Sequence, residues 1–149
     1  MFPGYFLSAR RVIAITKQVT TDILSATVEG DLNAIKEHVK VGADLNAMTP
    51  VGGTLLHAAA LSGMTKVAEL LVDNGAQVDA RDKFGKTPLH CAARAGHLKI
   101  AKLLIDRGAN VNALAGNGSF PMDWAIKFKH DAMTTLLSNS GGGCGKTLK

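Results

Sequence analysis

Aromatic side chains are scarce in this chain of 149 residues, with one Trp, one Tyr and five Phe, and cysteine is scarcer still, with two. Cys91 and Cys144 fall at no metal-ligand spacing, which argues against a zinc site built on paired thiolates. Two free thiols and no secretory signal pattern fit a reducing compartment, cytoplasmic or nuclear. No apolar run approaches the roughly 20 residues that span a bilayer, because Arg10, Arg11 and Lys17 interrupt the N-terminal candidate, so membrane insertion is not expected. Acidic residues are missing from residues 1–21. That composition leaves three readings of the segment: a disordered start, an extra capping helix, or an organellar import signal.

The formal charge of +5 suggests nucleic acid only until it is partitioned. Residues 1–21 carry three basic side chains, residues 141–149 carry two, and residues 22–140 carry twelve of each sign. Phosphate binding needs cations converging on one surface, so an excess confined to the tails argues against a nucleic-acid partner. Within the neutral body the charge is polarised: −3 for residues 22–48, −1 for 49–81, +4 for 82–114 and zero for 115–141.

What the chain has in abundance is internal repetition. Gly30, Gly63 and Gly96 lie 33 residues apart, as do Gly42, Gly75, Gly108 and Gly141. In the same frame His57 matches His90, Leu70-Leu71 match Leu103-Leu104, and Asn46, Asp79 and Asn112 coincide. Residues 82–114 give the clearest physical content. Thr87 is a cap residue and Pro88 suits the first helical position, so a helix of about eight residues starts there and ends at Gly96. A second helix runs from Leu98 to Gly108 with Ile100, Leu103 and Leu104 on its core face. Turn formers between Gly108 and the next helix suit a hairpin-like finger. Neither helix can bury its face alone, so the units must stack.

The 33-residue period and the Thr87-Pro88-Leu89-His90 run resemble the ankyrin repeat family. The resemblance implies an all-α solenoid of stacked antiparallel helix pairs with hairpin-like fingers over residues 22–141. Its four units are 22–48, 49–81, 82–114 and 115–141, with residues 142–149 as a flexible Gly-rich tail. The first unit, with polar Asp31, Lys36 and Lys40, and the last, with Phe120 and Asp123 in place of Thr and His, read as end caps. In the family the histidine is a structural link between helix and finger, so Asp123 puts that link in doubt in the last unit. Trp124, at helical spacing, is expected in the core.

The family likeness also implies a protein-interaction module (adaptor, scaffold or inhibitor), monomeric and non-catalytic, that takes a partner on a concave finger/first-helix face. Transferred by position, that face comprises Pro50, Val51, Gly53, Leu61 and Ser62 in the second unit, Arg81 at the junction, and Lys83, Phe84, Lys86, Arg94 and Ala95 in the third. Leu114, Asn117, Ser119 and Lys127 complete it. Its basic residues favour a partner with an acidic patch, and Phe84 is its apolar anchor. No cofactor is implied. His38, His57, His90, His97 and His130 form no short metal-binding pair, and no nucleophile stands beside a base. One alternative rests on the tail: Ser140 to Thr147 partly resembles a phosphate-binding loop, as if the repeats preceded a nucleotide-binding or enzymatic domain. The pattern wants glycine where Ser140 stands and a strand before it, and a helix is expected there instead.

Overall fold

In a computed structural model of the chain, residues 9–10 and 22–145 are described. The segment 1–21, with its three readings, thus lies almost wholly outside the described residues. Residues 22–145 contain eight helices in pairs: α1 (described over residues 22–29) and α2 (Leu32–Lys40), α3 (Leu55–Ser62) and α4 (Thr65–Asp73), α5 (Pro88–Ala95) and α6 (Leu98–Asp106), α7 (Pro121–Lys127) and α8 (Asp131–Asn139). No strand occurs among the described residues. First helices stack on first helices, α3 on α5 and α5 on α7, while α2, α4, α6 and α8 form a second row behind them.

Local chemistry sets these bounds. α5 begins at Pro88 after the extended Thr87 and ends at Gly96, whose φ of +78° is left-handed. α3 begins at the equivalent Leu55, so the absence of proline there does not move the helix start. The first rows pack through small residues: Ala59, Ala60, Ala92, Ala93 and Ala125 are all buried and let neighbouring helices approach. Larger side chains, Ile35, Leu71, Ile100, Leu104, Met133 and Leu137, fill the space between the rows and are fully buried. Leu103, expected in the core beside Leu104, is only partly buried and packs at its margin.

Each finger is a tight turn rather than a paired hairpin. In the third unit Asp82 N–H donates to the Lys86 carbonyl at 2.9 Å, Gly85 N–H returns to the Asp82 carbonyl at 2.9 Å, and Asp82 Oδ1 accepts from the Phe84 and Lys86 amides at 2.8 Å. Successive fingers touch backbone to backbone. Lys83 N–H donates to the Gly52 carbonyl and Gly116 N–H to the Phe84 carbonyl, both at 2.9 Å. A Cβ on Gly85 would stand 2.8 Å from Gly116 N, and Gly85 has φ +74°, so glycine is needed there on both counts.

The repeats are also laced by side chains at fixed register. His90 Nδ1 accepts from the Thr87 amide at 3.1 Å while Nε2 reaches the Ser119 carbonyl of the next finger at 3.1 Å. His57 does the same with Thr54 at 3.1 Å and Lys86 at 2.8 Å. Asn46 bonds the Gly75 carbonyl at 3.0 Å and the Gln77 amide at 2.7 Å, and Asn112 repeats this with Gly141 at 3.0 Å and Gly143 at 2.7 Å. Among the described residues no buried side-chain nitrogen or oxygen lacks a partner.

Asp123 keeps a link that the sequence placed in doubt. Its Oδ2 accepts from the Phe120 amide at 2.8 Å, as the histidines do for their threonines, and its Oδ1 accepts from Gly145 N–H at 2.9 Å. A carboxylate can only accept, so the tail presents an N–H where the other fingers present a carbonyl. The tail is therefore not free through Gly145. Gly142 N–H also donates to the Leu137 carbonyl at 2.8 Å.

Candidate interaction face

The finger tips and the outward side of the first helices share one surface. It places Pro50, Val51, Leu61, Lys83, Phe84, Arg94, Leu114, Asn117 and Lys127 in solvent, with Ser62, Lys86 and Ala95 half-buried. Two expected members do not belong. Ser119 is 1% exposed: its carbonyl receives His90, and its hydroxyl donates to Asn117 Oδ1 at 2.6 Å and accepts from Trp124 Nε1 at 2.9 Å. Gly53 is buried beneath its own finger, its carbonyl taken by the Thr49 amide at 2.8 Å and hydroxyl at 2.7 Å. Arg81 is exposed but already engaged, its Nη1 donating to the Gly85 carbonyl at 2.9 Å and to the Leu114 carbonyl. It ties two fingers together, which limits it as a partner contact.

Two aromatic residues enlarge the face. Trp124, expected in the core, is partly buried against it and also lines an open groove of about 570 Å³ with Lys83, Phe84, Lys86 and Asn117. Its frame equivalents Ala58 and Cys91 are small, so an indole at this position extends outward past the finger. Phe128 is exposed and stacks near-parallel on Trp124, centroids 6.1 Å apart at 10°. The frame contains the signal for Phe128, since Ser62 and Ala95 occupy the same position two units and one unit earlier.

Cations alternate with these rings. Lys86 Nζ lies 5.2 Å from the Phe84 centroid and 4.7 Å from that of Trp124, Lys83 Nζ lies 5.1 Å from Phe84, and Lys127 Nζ lies 5.5 Å from Trp124. The Arg94 guanidinium sits 5.7 Å from Phe128. The ion pairs among the described residues, Lys40–Glu37, Lys66–Glu69 and Arg107–Asp73, all lie elsewhere. The ring faces hold these four cations without neutralising them.

The buried ionisable groups near this face serve the fold. Burial holds the imidazoles of His57 and His90 below the ordinary histidine range, and both ring nitrogens of each are engaged in structure. Burial, reinforced by Asp82, pushes the Cys91 thiol up to about 12, far from a reactive thiolate. Among the described residues no group of three or more His, Cys, Asp or Glu could hold a metal ion, and no helix is long and apolar enough to cross a membrane. At the tail, the Gly143 and Gly145 amides that a phosphate loop would need already donate to Asn112 and Asp123, and the Asp123 carboxylate would repel phosphate.

No curated protein gave a match to the chain. A family model described as ankyrin repeats (3 copies) matches residues 23–115 and, overlapping it, 81–148. Repeats of this kind are generally protein–protein interaction modules and typically non-enzymatic. With the match, the 33-residue frame and the stacked helix pairs in agreement, the chain belongs to the ankyrin-repeat family.

Proposed function

We propose that this chain is an adaptor, scaffold or inhibitor that works by occupancy, taking an acidic protein partner on its concave finger/first-helix face. One observation carries the reading: Lys83, Lys86, Arg94 and Lys127 share a surface with Phe84, Trp124 and Phe128 and have no carboxylate within ion-pair reach among the described residues. The cation–π contacts hold these four cations but leave their charge uncompensated, and that charge complements an anionic partner and accelerates its encounter. Phe84, 58% exposed, is the apolar anchor such an interface needs near its centre.

The double substitution Phe84→Ala with Arg94→Glu tests this. Neither side chain supports the fold, since Phe84 makes its turn with backbone atoms and Arg94 is exposed. The expected result is an unchanged melting temperature and at least about ten-fold weaker binding to partners recovered from cells with the unaltered chain. Undiminished binding by the double variant would remove the face from consideration.

A further inference from the structure

The interaction face changes character along its length. Positions 33 residues apart on the first helices run Val28, Leu61, Arg94, Lys127, aliphatic in the first two units and cationic in the last two. Between the first two units lies a second hollow of about 370 Å³, walled by Leu24, Val28, Val51 and Leu61. Val28, Val51 and Leu61 are exposed at 44%, 67% and 45%, a cluster the stack does not cover. The ionisable groups lining this hollow are committed elsewhere: His57 bonds Thr54 and Lys86, Asp82 Oδ1 bonds two finger amides, and Cys91 is buried. The groove over Phe84 and Trp124, in contrast, is ringed by unpaired ammonium groups.

Resting on the reading of the face given above, we infer that its partner supplies one extended segment of two-part chemistry. A large aliphatic side chain fills the hollow between the first two repeats, and a run of carboxylates lies over Arg94 and Lys127 beside the Phe84–Trp124 groove. The order of the two parts is fixed by the order of the repeats. A single-stranded nucleic acid could stack on the same rings, but continuing along the face it would meet a first repeat of net charge −3. Residues 1–21 cannot supply the acidic half of such a segment, because they contain no carboxylate side chain.

Fluorescence anisotropy with labelled synthetic peptides tests this. The probes are a dileucine block joined through Gly-Ser linkers of graded length to a tetraglutamate block, the same blocks in reverse order, the tetraglutamate block alone, a tetralysine analogue and an oligothymidylate. The expected result is that one block order binds at least about ten-fold tighter than its reverse and than tetraglutamate alone. Leu61→Asn, which adds no charge beside Arg94, lowers the affinity of the favoured two-block peptide to about that of tetraglutamate alone. Lys127→Glu weakens every acidic peptide. Both positions are exposed, and thermal melts verify that each variant folds. Equal affinity for both orders and for tetraglutamate alone overturns the two-part segment while leaving the cationic face standing. If neither substitution alters any affinity, the face itself is wrong. Tighter binding of oligothymidylate than of any peptide, or a dimer that either substitution dissociates, assigns the face to nucleic acid or to a second copy instead. Absence of binding by every peptide also overturns the inference.

Discussion

The imidazole of His90 reaches the carbonyl of Ser119 across 29 residues at 3.1 Å, while its other nitrogen accepts the Thr87 amide at 3.1 Å. Accepting an amide proton requires Nδ1 to be bare, so Nε2 carries the hydrogen and donates it to the carbonyl. A protonated ring would set N–H against N–H at Nδ1. His57 stands in the same position with Thr54 and Lys86.

Both histidines therefore make stability depend on pH. Burial lowers their folded-state pKa below the unfolded value, so as pH falls below about 6.5 the unfolded chain takes up protons first. The contribution is complete above the unfolded pKa and is lost as pH drops toward the folded one. Urea melts at about pH 7.5 and about pH 5.5 should show a loss of stability that the double substitution His57→Asn, His90→Asn reduces. His90→Ala alone, which orphans the buried Thr87 amide and the Ser119 carbonyl, should cost about 2 kcal/mol at the higher pH. An identical pH slope in the double variant would refute the linkage.

Core packing gives a sharper contrast between adjacent leucines. Leu104 is fully buried between the two helix rows, whereas Leu103 is only partly buried at their margin. Leu104→Ala should cost about 2–5 kcal/mol through a cavity that the flanking helices cannot close, and Leu103→Ala clearly less. Equal losses in chemical denaturation would mean that the second-row helix is rotated from the orientation described.

Helix bounds in the third repeat were legible because their causes are local: a Thr-Pro start and a glycine stop act on a few residues regardless of context. The stack was legible because a 33-residue frame repeats the same small residues at the same helix face. Side-chain exposure on the candidate face was less so. Ser119 carries a polar side chain in an exposed-looking turn, yet the carbonyl that must meet His90 draws the residue inward. Leu103 and Leu104 are adjacent members of one apolar pattern, and only the angle at which α6 meets its neighbours decides between them. Trp124 looks like core by composition, and its outward course follows from the limited space its small equivalents Ala58 and Cys91 reveal.

The last repeat contains a strained residue. Lys129 has φ +58° at the position held by Gly30, Gly63 and Gly96 in earlier repeats. In the second and third repeats glycine is doubly required, since a Cβ on Gly63 would come within 2.8 Å of His97 and one on Gly96 within 2.7 Å of His130. Only the backbone half of that requirement applies to Lys129. Lys129→Gly should therefore raise stability by about 0.5–1 kcal/mol, the left-handed penalty relieved less the added chain entropy. A destabilised variant in thermal and urea melts would show that the lysine side chain contributes more than its strain costs.

Asp123 supplies the test of how the tail is held. Its two carboxylate oxygens accept from Phe120 N–H and Gly145 N–H, so both of its partners are donors. Histidine, the residue of the two preceding repeats, would have to accept from Phe120 through Nδ1 and would then point an N–H at the Gly145 N–H. Restoring the repeat pattern with Asp123→His should thus release the segment from Gly142 to Gly145 even though the helix start is kept. Hydrogen exchange should report this as roughly ten-fold faster exchange at the Gly145 amide, the loss of one charge-assisted hydrogen bond. Asp123→Asn, which retains an acceptor oxygen for one of the two amides, should fall between the parent and Asp123→His. Equal protection of Gly145 in all three chains would mean that Asn112 and the Leu137 carbonyl hold the tail without Asp123.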